Sequence, residues 1–150
     1  MKKIIFALLI VFTSCIAKDE PFSPSLAKAL DEVISEDSTC DVIQIQASKL
    51  EGHDLFFLTS LHNYNPNLID GYLTYKGKLV TYFQTDSLDR SNIIDTKVLH
   101  KYNGSIPNYR NIYSSQITSE PQQKMYEVID GHELVAINNP ELSLSEGFNI

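Results

Sequence analysis

Between Val42 and Phe83 the chain carries four short runs of β-branched and aromatic residues, separated by Gly, Pro, Asn and Asp. In Val42–Ala47, Ile43, Ile45 and Ala47 alternate with Gln44 and Gln46, so one face looks inward and the other is wet. Leu55–Leu61 is apolar on both faces through Phe56-Phe57-Leu58, which predicts a central strand covered on both sides. Gly71–Tyr75 and Leu79–Phe83 flank Lys76-Gly77-Lys78. Runs of this kind predict an antiparallel meander. Two registers are open for its last hairpin. A two-residue Lys76-Gly77 loop sets Leu73 opposite Val80, and a three-residue loop sets it opposite Thr81.

Ahead of these runs the period changes. Leu26, Ala29, Leu30, Val33 and Ile34 recur at helical spacing, with Lys28, Asp31, Glu32 and Ser35 on the opposite side. Ser23 is placed to cap this helix and Pro24 suits its first position, where a missing N–H costs nothing. A helix this short is marginal alone and needs the sheet to bury its stripe. After Gln84 the chain turns polar; Ile93-Ile94, Val98, Leu99 and Tyr102 suit a short helix or an irregular strand, with a strand-like segment around Thr96–Lys101 preferred, and a further strand or helix is expected near Tyr109–Ile117. Met125–Ile129 and His132–Ile137 then flank Asp130-Gly131, a pair suited to a type I′ turn because both central residues need positive φ.

The fold class that follows is α+β: a mainly antiparallel sheet, meander plus C-terminal hairpin, with one N-terminal amphipathic helix packed on it. The expected core joins Leu26, Leu30, Val33 and Ile34 to Ile43, Ile45, Phe57, Leu73, Val80, Val128 and Val135.

Charge narrows the partners. The formal net charge is −7, and loss of Lys2 and Lys3 with a leader leaves 10 basic against 19 acidic side chains, or −9. Such a surface repels phosphate backbones, so nucleic acid is disfavoured as a partner. A leader is expected because Met1-Lys2-Lys3 precedes nine apolar residues, Ile4–Phe12, a run of secretory rather than membrane-spanning length. It ends in Phe12-Thr13-Ser14-Cys15, which resembles a bacterial lipobox and implies acylation of Cys15 as the mature N-terminus. Cleavage after Ala17 is the competing reading. The domain plan is therefore a lipoprotein signal peptide at 1–14, a tether at 15–23 and a single globular domain at 24–150. Two or three acyl chains anchor stably where one holds marginally, which places the protein at the cell envelope, in the outer membrane. Lys18-Asp19-Glu20 looks like the surface-export signal of Bacteroidota lipoproteins. Cys40 is then the lone thiol, which excludes an intramolecular disulfide; it is read as a small buried hydrophobe, with a nucleophile as the alternative.

The Ser14-Cys15 leader, the short helix, the strand, the Gly52 turn, the aromatic strand, and Tyr72 followed by Gly77-Lys78-Leu79-Val80 together resemble small uncharacterised lipoproteins of Bacteroidota. The resemblance covers about residues 1–83 and implies lineage and compartment only. It also implies O-glycosylation at Ser87 and Ser38, since Asp86-Ser87-Leu88 and Asp37-Ser38-Thr39 match the acceptor pattern of that phylum.

Catalytic motifs are missing: there is no phosphate loop, no nucleophile elbow, no zinc-protease helix and no Cys-x-x-Cys. His53, His62, His100 and His132 each fall in or beside an expected turn, and no catalytic, metal or cofactor residues are assigned. The chemistry left is aromatic. Tyr64, Tyr72, Tyr75 and Tyr82 are candidate contacts for a glycan or an envelope protein if they share a face. The functional expectation is a lipid-anchored, non-catalytic binding or accessory module; the alternative is a small envelope hydrolase or an inhibitor of one.

Overall fold

The computed structural model describes residues 21–85, 92–109 and 122–138. Its helix, α1 (Pro24–Glu36), starts as the sequence indicates: Pro24 holds the first position and the Ser23 hydroxyl accepts the Leu26 N–H at 3.2 Å. Asp37 closes it, with Oδ1 accepting the backbone N–H groups of Thr39 and Cys40. Leu26, Ala29, Leu30 and Val33 form the buried stripe, and Ile34 packs against its edge. The folded unit includes the residues just before α1. Ser23 N–H donates to Ile93 O at 2.8 Å, Asp95 N–H donates to Pro21 O at 2.9 Å, and Phe22 is buried in the core. Pro21–Ser23, expected to end a tether, is thus held against Ile93–Asp95.

Seven strands form one mixed sheet among the described residues: β1 (Val42–Leu50), β2 (His53–Leu61), β3 (Gly71–Tyr75), β4 (Lys78–Gln84), β5 (His100–Lys101), β6 (Gln123–Ile129) and β7 (Glu133–Ala136). Their order is β5-β3-β4-β1-β2-β6-β7. With one α-helix and a mostly antiparallel open sheet among the described residues, the protein is α+β with the sheet dominant. A single turn of 3-10 helix, Thr96–Val98, leads into β5, where a strand-like segment was expected over Thr96–Lys101. Of Tyr109–Ile117 only Tyr109 is described; its N–H donates to Ile106 O.

The meander expected over Val42–Phe83 is replaced by two hairpins joined side to side. β1 pairs antiparallel with β2, but β4 lies parallel to β1, so β2 and β3 do not pair. The connection at residues 62–70 supplies the reason. It carries Tyr64 and Ile69, which need cover, and this arrangement lets them pack with Val42, Leu79 and Ile106 at one end of the sheet. The parallel pairing also flanks β1 on both sides, and Ile43 and Ile45 become fully buried. β2 is interior too, between β1 and β6.

The open register resolves to the two-residue loop. Tyr75 faces Lys78 and Leu73 faces Val80, with Lys76 at φ 47° and Gly77 at φ 79°, the left-handed pair that a type I′ turn requires. Asp130 and Gly131 also have positive φ, but Ile129 faces Glu133, so His132 is an extra residue in that turn.

Strand alternation sorts side chains to two faces. The face under α1 gathers Ile43, Ile45, Ala47, Phe56, Leu58, Leu73, Val80, Tyr82 and Tyr126 with the helix stripe. Two expected core members are corrected. Phe56 takes the place expected for Phe57, because adjacent residues in a strand face opposite ways and Phe56 shares parity with Leu58. Val135 is 46% exposed on the edge strand, while its neighbour Leu134 packs against the helix-side core. No helix among the described residues is long and apolar enough to cross a membrane.

Candidate functional site

The helix-free face of the sheet is covered unevenly. Tyr64, Ile69 and Ile106, with Tyr72, Tyr102 and Tyr109 packed around them, close its end near Val42 and Leu79. At the opposite end lie the β1–β2 and β6–β7 turns. The register fixes what is displayed there. Gln46 lies between Phe57 and Phe83, Phe57 faces Met125, Leu55 faces Glu127, and Glu127 faces Val135. Beyond them Leu50 faces His53.

These residues form a corner with an unusual surface. Leu50, Ile129 and Val135 are there, and they are three of the four large hydrophobic residues exposed in the described structure; the fourth, Val98, lies in the 3-10 turn. Scattered exposed apolar residues are ordinary, but a contiguous group points to contact with something else. Beside them Leu50, Glu51, His53, Leu55, Met125, Glu127 and Ile137 line a cleft of about 210 Å³. That space suits one side chain rather than a cofactor. At its mouth His53 Nδ1 and Glu127 Oε1 are 2.5 Å apart, joining β2 to β6 through a diagonal pair.

The four candidate tyrosines fall on both faces. Tyr72 and Tyr75 are three residues apart in β3, and odd spacing in a strand sends side chains to opposite sides. Tyr64 and Tyr72 belong to the aromatic cluster at the closed end of the helix-free face. Tyr64 is buried against Tyr102, and Tyr72 tilts against His100 with ring centroids 5.4 Å apart. Tyr82 is buried in the helix-side core, where its hydroxyl donates to Gln84 Oε1. Tyr75 packs edge-on to Phe22, and its hydroxyl donates to Asp31. One flat contact surface therefore does not display all four.

Titration shifts concentrate on the helix side. Burial, then the charge of Asp37, pushes the Cys40 thiol up, and Cys40 is fully buried. Lys78 Nζ donates to the Ser38 and Cys40 carbonyls, and its charge offsets the rise of the thiol only in part. Burial, then Glu32 and Glu36 above it, pushes the Tyr126 phenol up to about 12. Ser38 is exposed in the loop after α1; Ser87 and Cys15 lie outside the described residues. The described residues contain no group of three or more His, Cys, Asp or Glu side chains placed to hold a metal.

The corner was missed in the sequence, although one signal pointed to it. Leu50 continues the Gln44, Gln46, Ser48 series, so a large apolar residue stands where the pattern calls for a wet one. No known protein family, curated protein or solved structure matches the chain.

Proposed function

We propose that the protein is a non-catalytic binding or accessory module, tethered at the cell envelope through an acylated Cys15, and that the corner of the helix-free face is its contact surface. The observation that carries this reading is the exposure of Leu50, Ile129 and Val135 at one corner, near two adjacent hairpin turns, where Leu50 also lines a cleft. A soluble fold gains nothing internally from exposing three large apolar residues together. The leader supports the tether: a basic start, a nine-residue apolar run and Ser14-Cys15 at its end. In this reading α1 is the first element of the mature domain, and the acidic balance of the chain keeps it from nucleic acid and from anionic lipid surfaces.

The enzyme alternative has less support. An imidazole held by a carboxylate, as in His53 and Glu127, is one part of a hydrolytic site. The Cys40 thiol is on the other side of the sheet, buried, and its burial and then Asp37 disfavour the thiolate.

Capture from detergent-solubilised envelope, run beside a glycan array, tests the binding reading. A specific protein or glycan is expected with the wild-type chain, and is lost with Leu50→Ser/Val135→Ser at an unchanged unfolding midpoint. Capture that is equal for both proteins removes the corner from consideration. Turnover of any substrate, abolished by His53→Ala, replaces the binding reading with the enzyme. Tethering has its own test: labelling with a clickable fatty acid is expected in the wild type and absent in Cys15→Ala.

A further inference from the structure

Two further properties of this corner describe the partner. The first is charge. Glu51 in the β1–β2 turn, Asp130 in the β6–β7 turn and Glu133 at the start of β7 are all exposed, and none of the three carboxylates has an ion pair or hydrogen bond among the described residues. Lys49, the nearest cation along the chain, is paired with Asp54 at 3.3 Å. With Glu127, four carboxylates and His53 thus surround or flank the apolar group. The second property is an edge. Among the described residues β7 has a strand neighbour on one side only. Ile137 N–H donates to Met125 O at 2.9 Å, so by antiparallel alternation Glu133, Val135 and Ile137 turn their backbone groups to β6. Leu134 and Ala136 then turn theirs outward, where an added strand would find them.

We propose that the outer edge of β7 receives a basic, extended segment of a partner protein, which adds to the sheet as an eighth strand. The proposal rests on the binding-module reading and names the partner's chemistry. Backbone pairing with Leu134 and Ala136 supplies affinity without sequence preference, and alternate side chains supply selection. Those facing the helix-free side meet Val135, which favours an aliphatic residue, and Glu133, which favours Lys or Arg. Asp130 and Glu51 extend the same preference to residues beyond the strand. An acidic segment is repelled by the same carboxylates. This chain's own residues 139–150 carry Glu141 and Glu146 and no basic residue, and so are poorly matched to that rim.

The probe is a nine-residue peptide that carries valine and lysine two residues apart on one face, with threonine between them, compared with the same peptide carrying glutamate for lysine, against the full chain in detergent. The lysine peptide is expected to slow amide exchange at Leu134 and Ala136. Neutralising the rim with Glu51→Gln/Asp130→Asn/Glu133→Gln should weaken its binding by about tenfold at low salt, since three exposed charge contacts are each modest. Asn tolerates the positive φ at position 130, so the variant is expected to keep its unfolding midpoint. Lack of protection at Leu134 and Ala136, or equal binding of the two peptides, or equal binding by the neutralised variant, overturns the proposal. So does protection already present in the free chain. If that protection disappears on dilution, the edge belongs to a second copy; if it disappears on removing residues 139–150, it belongs to the chain's own tail. If the peptide fails while Leu50→Ser/Val135→Ser still abolishes envelope capture, only the basic-strand inference falls. If both fail, the binding reading falls with it.

Discussion

On the helix-covered side of the sheet, acidic residues are met by lysines. Asp31 lies 2.6 Å from Lys76 at the β3–β4 turn, and Glu36 lies 2.6 Å from Lys124 on β6, with Glu32 at 3.8 Å from the same ammonium. On the opposite side, at the far corner, Glu51, Asp130 and Glu133 meet no cation among the described residues. The apolar residues divide the same way: Leu26 and Leu30 are fully buried, whereas Leu50 is half exposed. On one side, charge pairs guide a short helix into a single seat, and the apolar stripe provides the energy of docking. On the other, Glu127 is held by His53, but Glu51, Asp130 and Glu133 have no partner among the described residues and Leu50, Ile129 and Val135 stay exposed. Exposed ion pairs contribute little to stability, so the helix-side pairs are better understood as fixing orientation than as holding α1 down. Unmatched residues of both kinds at one corner are what a surface meant for contact looks like.

The largest effect that can break this comparison is in the stripe. Leu30→Ala removes a fully buried side chain between helix and sheet, and should cost about 3 kcal/mol in a urea melt. A midpoint equal to wild type would show that α1 does not dock as described. Gly77→Ala comes next, at about 1–2 kcal/mol, because an L side chain at φ 79° is strained even with open space around it. Loss of much less would mean that the hairpin relaxes to the three-residue register. Leu50→Ala should move the melt by no more than about 0.5 kcal/mol, since its side chain is half in water already. A cost near that of Leu30→Ala would mean Leu50 belongs to an internal core, and would remove it from the contact surface.

What the sequence made legible follows from where its information is local. Ser23, Pro24 and the stripe from Leu26 to Ile34 placed the helix, because caps and helical spacing act within a few residues. Lys76-Gly77 and Asp130-Gly131 placed two turns, because glycine takes positive φ at no steric cost. The parallel pairing of β4 with β1 was not legible. It depends on where Tyr64 and Ile69 find cover, which is settled only once the sheet exists. The division of the tyrosines could have been read from the odd spacing of Tyr72 and Tyr75 alone. The corner could be read only in part: Leu50 breaks the wet face of its strand, but the fact that Ile129 and Val135 arrive beside it is a matter of strand order.

The smallest effect appears only in alkali, and it tests whether the acidic side of α1 presses on the sheet as the geometry implies. Tyr126 is buried in β6 with Glu32 and Glu36 of the helix close by. Burial first, and those two negative charges second, raise its phenol from 10.0 to about 12. A phenol whose folded pKa is raised binds its proton more tightly in the native state. Its contribution is complete below pH 10.0, and is lost as pH rises from there through about 12, because the unfolded chain ionises first. At neutral pH, Tyr126→Phe therefore carries none of this effect, and above pH 10 it should melt less steeply with pH than wild type. The slope should flatten rather than vanish. Tyr75 is raised as well, by burial and then Asp31, and Tyr102 is raised by burial and then Tyr64. Urea midpoints measured for both proteins across that alkaline range decide the matter. An unchanged slope in Tyr126→Phe would mean that the phenol ionises in the folded state as it does in the unfolded one, and that Glu32 and Glu36 do not crowd the sheet at that point.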